Sequence, residues 1–242
     1  MNLISTTGLV IKESPTGESD RIVTILTKDA GLIRAFAKGA RRPKSKLYSG
    51  TALFCYSDFV IYQGKESSRV NEAAPINIFH GLRTDLEKLA VAEFLCELVI
   101  ETAPENENSN EYMRIVLNSL YFLGSDEINP FVIKPFFQFR LLSLAGFKPD
   151  VVACKKCCTY ETEKMAFDID KKCIYCENCR KDNLLPLSVI TAIRDILFSD
   201  LKTAIFYKTD NSNIPILNRL ADGYLYSCTG RGFKTLKFLQ SL

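Results

Sequence analysis

Two spacings of apolar residues divide the chain, and the change between them falls near residue 80. In the first part, short segments alternate apolar with polar residues or concentrate aromatic and β-branched ones, which is typical of β-strands. These segments are 8–12, 21–27, 32–38, 53–62 and 67–73. From residue 82 onward, apolar residues recur every three or four positions, which predicts amphipathic helices. The sequence therefore predicts an α+β protein with a strand-rich N-terminal part.

The five predicted strands form a domain over residues 1–80. Five short strands in a segment of about 75 residues fit a small closed barrel. An OB-fold is one such barrel, but the strand count alone does not separate it from an SH3-like barrel.

The helices are bounded by capping and helix-breaking residues. The first runs from Leu82 past Val99 and ends near Pro104. Asn129-Pro130 has the form of a cap followed by a first-turn proline, and Gly146 closes that helix. Ser188 is expected to cap a later helix. Further helices are predicted over 112–123, 216–228 and 233–239. We predict a helical domain over 81–150 and 184–242, with an insertion at 151–183.

The insertion contains six of the nine cysteines. Four of them form two Cys-x-x-Cys pairs, Cys154/Cys157 and Cys176/Cys179. Two such pairs supply the four sulfur ligands of a tetrahedral Zn²⁺ site, so we predict one structural zinc ion. Because four protein ligands leave no coordination position for water, the ion is expected to stabilise the fold rather than to act in catalysis.

Other interpretations of the cysteines remain open at this point. An iron–sulfur cluster is the main alternative, and Cys158 or Cys173 could replace a neighbouring ligand. A deaminase site would need a His-x-Glu element, but the single histidine, His80, is followed by Gly81. A redox Cys-x-x-Cys would need a thioredoxin-like setting, which the pattern does not predict.

Charge is distributed unevenly, although the formal net charge is only +3. No carboxylate occurs between Asp29 and Asp58, whereas six cations fall inside that gap. The six are Arg34, Lys38, Arg41, Arg42, Lys44 and Lys46. Five of them lie in one predicted loop, 38–46, which we call the basic loop. Such a loop is suited to phosphate groups, so we predict sequence-independent nucleic-acid binding there. Nearby aromatic residues are candidates for base stacking or for the barrel core: Phe36, Tyr48, Phe54 and Tyr56.

The composition limits the class of protein. We find no signal peptide and no apolar run of the roughly 18 residues that a membrane span needs. With nine cysteines and no export signal, the chain is expected in the cytoplasm. No phosphate-binding loop, dinucleotide fingerprint or nucleophile elbow occurs, so we do not expect an enzyme.

Several motifs, taken in order, resemble the bacterial RecO family of DNA repair proteins. They are Gly17-Glu18-Ser19-Asp20, the Lys-Gly-Ala-Arg-Arg-Pro-Lys-Ser run at 38–45, Gly146-Phe147-Lys148-Pro149, the two cysteine pairs, and the stretch 230–239. Two positions depart from the family pattern. Cys158 stands where glycine is common, and Cys173 stands where a small residue often precedes the second pair.

The resemblance implies an N-terminal OB-fold and a non-enzymatic recombination mediator. Such proteins bind single- and double-stranded DNA, anneal complementary strands, and act with RecR to help RecA replace single-strand-binding protein. RecF and RecA would be indirect partners, and the location would be cytoplasmic and nucleoid-associated. The resemblance carries over Lys38, Arg41, Arg42 and Lys44 as DNA contacts, while Arg34 and Lys46 are added from charge.

Two competing hypotheses remain from the sequence. In one, the helical domain is a docking platform for partner proteins and DNA contact is incidental. In the other, the chain is a zinc-dependent enzyme that acts on nucleic acid.

Overall fold

The computed structural model describes residues 2–64, 67–105 and 107–242. The chain forms two compact units, Met1–Gly124 and Ser125–Leu242. The predicted α+β class is confirmed, with a five-stranded sheet at the N-terminus and a helical C-terminal part. The division between the units falls inside the segment 81–150 that the sequence analysis assigns to one helical domain.

Five strands form a closed barrel in the first unit. They are β1 (Asn2–Thr16), β2 (Asp20–Thr27), β3 (Gly31–Ala37), β4 (Cys55–Gln63) and β5 (Ser68–Ile78). Their order around the barrel is β1-β2-β3-β5-β4, and β4 pairs with β1 to close it. The β3–β5 pair is parallel and the other pairs are antiparallel.

The alternating pattern of the sequence explains which side chains fill the barrel. In β3 the side chains of Ile33, Ala35 and Ala37 belong to the core, and the residues between them face outward. Alternate side chains of a strand point to opposite faces, so one set fills the interior and the other lies outside. β1 is much longer than the predicted segment 8–12 because one end pairs with β4 and the other with β2.

Two helices complete the first unit: α1 (Leu86–Thr102) and α2 (Asn110–Gly124). The side chain of Asp85 caps α1 by accepting the backbone N–H of Lys88 at 3.0 Å. α1 lies against β1, and α2 lies against β2. The helices therefore belong to the same compact unit as the barrel.

Five helices belong to the second unit. They are α3 (Pro130–Leu144), α4 (Leu187–Phe198), α5 (Leu201–Ala204), α6 (Ile214–Thr229) and α7 (Lys234–Leu239). The predicted cap of α3 is confirmed, because the Asn129 side chain accepts the N–H of Phe131 at 2.8 Å. The predicted cap at Ser188 is wrong. Pro186 occupies the cap position of α4, and the Ser188 hydroxyl accepts a hydrogen bond from Asn213 instead.

A proline inside α3 is compensated by a residue of α6. Pro135 has no backbone N–H, so it cannot donate to the carbonyl of Phe131 one turn earlier. The side-chain amide of Asn218 donates to that carbonyl at 2.7 Å. This cross-helix bond satisfies a backbone group that the helix itself leaves unpaired.

The cysteine segment, residues 151–183, contributes to a small sheet that the sequence analysis does not predict. Its strands are β6 (Lys164–Asp168), β7 (Cys173–Cys176) and β8 (Leu184–Pro186), in the order β7-β6-β8. The sheet places the start of the second cysteine pair at the end of β7. In the part of the chain that the structure describes, no helix is both long and apolar enough to cross a membrane.

Candidate metal centre and nucleic-acid interface

The four predicted ligands come together in space. The Sγ atoms of Cys154, Cys157, Cys176 and Cys179 all lie within 4.8 Å of one another. The Sγ atoms of Cys157 and Cys176 are 3.5 Å apart. Among the described residues, the group that could hold a metal ion consists of these four and contains neither Cys158 nor Cys173.

Each cysteine pair sits on a tight backbone turn. In the first, the N–H of Cys158 donates to the carbonyl of Cys154 at 2.9 Å. In the second, the N–H groups of Cys179 and Arg180 both donate to the carbonyl of Cys176 at 3.0 Å. These turns bring residues three positions apart to the same side, which is the arrangement that a Cys-x-x-Cys ligand pair needs.

Cys158 and Cys173 lie outside the group of four sulfurs. Cys158 has a φ of +60°, a left-handed conformation that glycine adopts without strain. A glycine, which the family resemblance leads us to expect at this position, would adopt this conformation without a Cβ penalty. Cys173 is buried at the start of β7, where it pairs with Asp168 of β6 rather than with the cluster.

Hydrogen bonds to the sulfurs favour the thiolate form of the first pair. Burial opposes ionisation of Cys154, but three backbone N–H groups, among them that of Cys176, bring its pKa below the ordinary value. The hydroxyl and N–H of Thr159 lower the pKa of Cys157 to about 6. The pKa of Cys179 rises to about 12, because its thiol is hydrogen-bonded to Cys157 and Cys176. The sulfurs are too close for all four to ionise without a cation between them.

The cluster fits a tetrahedral metal ion. With metal–sulfur bonds of about 2.3 Å, the sulfurs of a tetrahedral zinc site are about 3.8 Å apart. The observed Sγ–Sγ distances, from 3.5 Å to at most 4.8 Å, include that value. The four thiolates could therefore bind a metal ion, and as a complete set of protein ligands they leave no open position for chemistry.

Arg194 of α4 anchors the cysteine segment. Its side chain is only 8% exposed, and its guanidinium lies 4.3 Å from the centre of the Tyr160 ring. It donates to the backbone carbonyls of Val151, Val152 and Tyr160 at 2.7–2.9 Å and to Glu161 at 3.0 Å. The fixed fork of the guanidinium thus holds both ends of the first cysteine turn. No local pattern in the sequence marks this residue as an anchor.

A second arginine ties the other cysteine turn to the sheet. Arg180 pairs with Asp168 of β6 at 2.6 Å and with Asp182 at 3.0 Å. The N–H of Lys171 and the Arg180 guanidinium hold the pKa of Asp168 below its usual range. The cation next to Cys179 is therefore engaged in the fold of the segment.

The predicted nucleic-acid contacts all lie at the surface of the first unit. Arg34 points outward from β3, and the other five cations follow in the loop after that strand. All six side chains are exposed, and within the described ranges none of them forms an ion pair. The set is Arg34, Lys38, Arg41, Arg42, Lys44 and Lys46. Their charges are available to an external anion.

The basic loop is ordered by successive turns and by apolar contacts. Backbone bonds link Arg42 to Gly39 at 3.1 Å and Ser45 to Arg42 at 2.9 Å. Ala40 and Leu47 belong to the core of the barrel. The loop is therefore attached to the barrel by Ala40 and by Leu47, the residue that follows it, while its cations face outward.

The Gly17-Glu18-Ser19-Asp20 motif holds the start of this loop. The N–H of Gly39 donates to the carboxylate of Asp20 at 2.6 Å, and the N–H of Arg41 donates to the carbonyl of Ser19 at 2.9 Å. Gly39 has a φ of +66°, which explains the glycine at that turn. The Gly17-Glu18-Ser19-Asp20 motif thus positions the basic loop.

Arg21 holds the segment that follows the loop. It donates to the carbonyl of Tyr48 at 2.8 Å and to the hydroxyl of Thr51 at 3.2 Å, and it lies 3.6 Å from Glu13. Of the aromatic candidates, Phe54 is buried in the core, and Tyr48 lies beside the Arg21 guanidinium. Phe36 and Tyr56 are partly exposed.

Comparison with known proteins covers nearly the whole chain. The family described as Recombination protein O N terminal matches residues 1–79, and Recombination protein O C terminal matches residues 83–234. A protein of Acetivibrio thermocellus named DNA repair protein RecO is 35% identical, covering 100% of this chain and 98% of the relative. RecO proteins of Alkaliphilus metalliredigens and Symbiobacterium thermophilum are 34% and 26% identical, covering 73% and 100% of this chain and 72% and 98% of their own.

These names describe a protein of recombination and repair. They do not name an enzymatic activity, which agrees with the expectation that the chain is not an enzyme. The order of the two matched regions also agrees with the order of motifs in the sequence. The chain belongs to the RecO family of DNA repair proteins.

Proposed function

We propose that this protein binds the phosphate backbone of DNA through Arg34 and the basic loop. The observation that carries the proposal is a set of six exposed cations without ion-pair partners among the described residues, on a loop that the barrel holds in place. An ordered loop loses little conformational freedom when it binds, so its charges are effective against a polyanion. Contacts of this kind are independent of base sequence.

The further activities follow from this surface and from membership of the family. We propose that the protein binds single and double strands, anneals complementary strands, and acts with RecR to help RecA replace single-strand-binding protein. RecF and RecA are proposed as indirect partners, and the cytoplasm and nucleoid as the location. Cations that screen the repulsion between two backbones while leaving the base edges free would promote annealing.

We also propose that the barrel is an OB-fold and that the cysteine cluster holds one structural Zn²⁺. The strand order β1-β2-β3-β5-β4 and the parallel β3–β5 pair support the first proposal. The two paired turns and the sulfur separations support the second. Elemental analysis is expected to give about one zinc per chain, whereas iron with visible absorbance would favour a cluster.

The binding proposal is tested by removing three cations of the loop. We expect the triple variant Arg41→Ala, Arg42→Ala, Lys44→Ala to weaken single-strand and duplex binding and to reduce the salt slope by about 2 to 3. A matched control removes three exposed cations of the second unit, Lys202, Lys208 and Arg219. Both variants lower the formal net charge by three, from +3 to 0. Equal effects of the two variants would contradict a localised site.

The mediator role is tested by strand annealing. Complementary DNA strands coated with single-strand-binding protein are mixed with the wild type, the loop variant or the control variant. We expect the wild type and the control to accelerate annealing and the loop variant to do so poorly. Retained annealing and RecR capture by a loop variant that no longer binds DNA would favour the docking-platform hypothesis instead.

A further inference from the structure

A row of paired residues crosses the outside of the barrel next to the basic loop. Paired residues on neighbouring strands point to the same face of a sheet. The pairing connects Ser14 to Ile22, Ile22 to Phe36, Phe36 to Arg69, and Arg69 to Tyr62. We call these five residues the outer row. Its last three residues, Phe36, Arg69 and Tyr62, therefore place an arginine between two aromatic rings.

The neighbours along each strand show that Phe36, Arg69 and Tyr62 face outward. Ala35 and Ala37, on either side of Phe36, belong to the barrel core. Ile61 and Val70, next to Tyr62 and Arg69, belong to the same core. Arg69 is exposed, and the two rings are partly exposed. Neighbouring strands are about 4.8 Å apart, so the two rings lie on strands about 10 Å apart.

Cations lie beside the outer row on its side toward α1. The next set of paired residues toward α1 consists of Lys12, Thr24 and Arg34. It borders a shallow cavity of about 200 Å³ lined by Lys12, Ser14, Ile22, Thr24, Arg34 and Ile100. Neither set contains a carboxylate, and within the described part of the chain no ion pair involves Lys12, Arg34 or Arg69. The face combines positive charge with accessible aromatic surface.

This combination distinguishes single strands from duplexes. A cation contacts phosphate in either form, but the flat faces of bases are accessible only where the bases are unpaired. Aromatic rings stack on such faces with little regard to base identity, and a guanidinium plane adds to that contact. The outer row meets the basic loop directly, because Phe36 lies two residues before Lys38.

We propose that Phe36, Arg69 and Tyr62 form a stacking site for unpaired bases. This inference rests on the proposed DNA binding and deepens it. The basic loop holds the phosphates of either form, and the outer row adds affinity for single strands alone. The site would hold unpaired bases by their faces while the base edges stay available to a complementary strand.

The test compares variants that keep or lose the rings. The double variant Phe36→Leu, Tyr62→Leu retains apolar volume without a ring, and the matched control Phe36→Tyr, Tyr62→Phe retains both rings. Fluorescence anisotropy measures binding of three probes of about 20 residues each, longer than a single site. The probes are an oligothymidine strand, a blunt duplex and a strand of abasic sites.

The leucine variant is expected to bind oligothymidine about ten- to a hundredfold more weakly than the wild type, from the contribution of one or two stacked bases. Its binding to the duplex and to the abasic strand should change by less than about twofold, as should all binding by the ring-retaining control. An equal loss for the three probes, or no loss for oligothymidine, would overturn the stacking site.

A second measurement uses the unmodified protein, so it does not depend on the folding of a variant. Photocrosslinking to an oligonucleotide with 5-iodouracil, followed by mass spectrometry, should locate the crosslink at Phe36 or Tyr62. Crosslinks confined to other residues would overturn the proposal. If the wild type bound none of the probes, the proposed DNA binding itself would fail. If it bound all of them and the leucine variant behaved identically, only the stacking site would fail.

Discussion

Replacing Arg194 by alanine tests whether one buried side chain holds the cysteine segment to α4. The guanidinium supplies four hydrogen bonds to a segment that starts more than 40 positions earlier in the chain. Alanine supplies none. The helix itself should tolerate the change, because alanine is the best helix former.

The size of the effect follows from where the partners lie. The carbonyl of Val151 belongs to a fully buried residue, so losing its donor costs about 2 kcal/mol. Val152 and Tyr160 are half exposed, and water can replace part of their bonds. Glu161 is 44% exposed, so its ion pair contributes less than about 1 kcal/mol. Removing the cost of burying a guanidinium offsets part of the loss. We expect a net destabilisation of about 3 kcal/mol.

This loss of stability can be measured by urea unfolding, monitored with a spectroscopic probe that is placed in the second unit. With a slope of about 1.5 kcal/mol/M, the midpoint should fall by about 2 M. Arg194→Lys, which offers a point charge instead of a fork, should lose about half as much. Arg219→Ala, an exposed arginine of α6, is the matched control. If the midpoint of Arg194→Ala fell no further than that of Arg219→Ala, the anchoring role would be refuted.

Substitutions at four further positions, Gly31, Gly17, Asp20 and Cys158, test the turns of the fold. In Gly31→Ala the new Cβ would lie 2.2 Å from a backbone oxygen at a φ of +64°, so unfolding experiments should show a loss of about 3 kcal/mol or more. In Gly17→Ala the φ is +54° but the space is open, so the loss should be only about 1 kcal/mol; equal losses would disprove the steric argument. Asp20→Ala removes the acceptor for Gly39 and should cost about 1–3 kcal/mol in chemical denaturation, whereas Asp20→Asn keeps an oxygen there and should cost less. Cys158→Gly should raise stability by about 0.5–1 kcal/mol and leave the metal content measured by elemental analysis unchanged; loss of metal would show that Cys158 is a ligand.

The sequence predicts the elements whose signals are local. Asn129-Pro130 and Gly146 delimit α3 correctly because capping depends on residues next to the helix end. Ser188 fails as a cap because α4 already begins at Leu187, with Pro186 at the cap position. The sheet of the cysteine segment is missed because its strands have three to five residues, too few for a clear alternation.

The same distinction applies to the sites. The spacing of Cys154 and Cys157 identifies a ligand pair because both residues lie on one turn. The basic loop can be identified from the sequence because its five cations lie within nine consecutive residues. The role of Arg194 cannot be identified from the sequence, because its hydrogen-bond partners lie 33 to 43 positions away. In the sequence, a buried arginine of an amphipathic helix cannot be distinguished from an exposed one. Tertiary hydrogen bonds of this kind leave no local signature.

The proline of α3 has a consequence for how this sequence can diverge. Because Pro135 leaves the carbonyl of Phe131 without its helical donor, the amide of Asn218 is required 87 positions later in the chain. A mutation at Asn218 alone would leave a backbone acceptor unpaired between two helices. If position 135 first regained an N–H, the same mutation would leave that acceptor satisfied. The order in which the two mutations arise therefore determines whether the intermediate protein is stable, which makes this an epistatic pair.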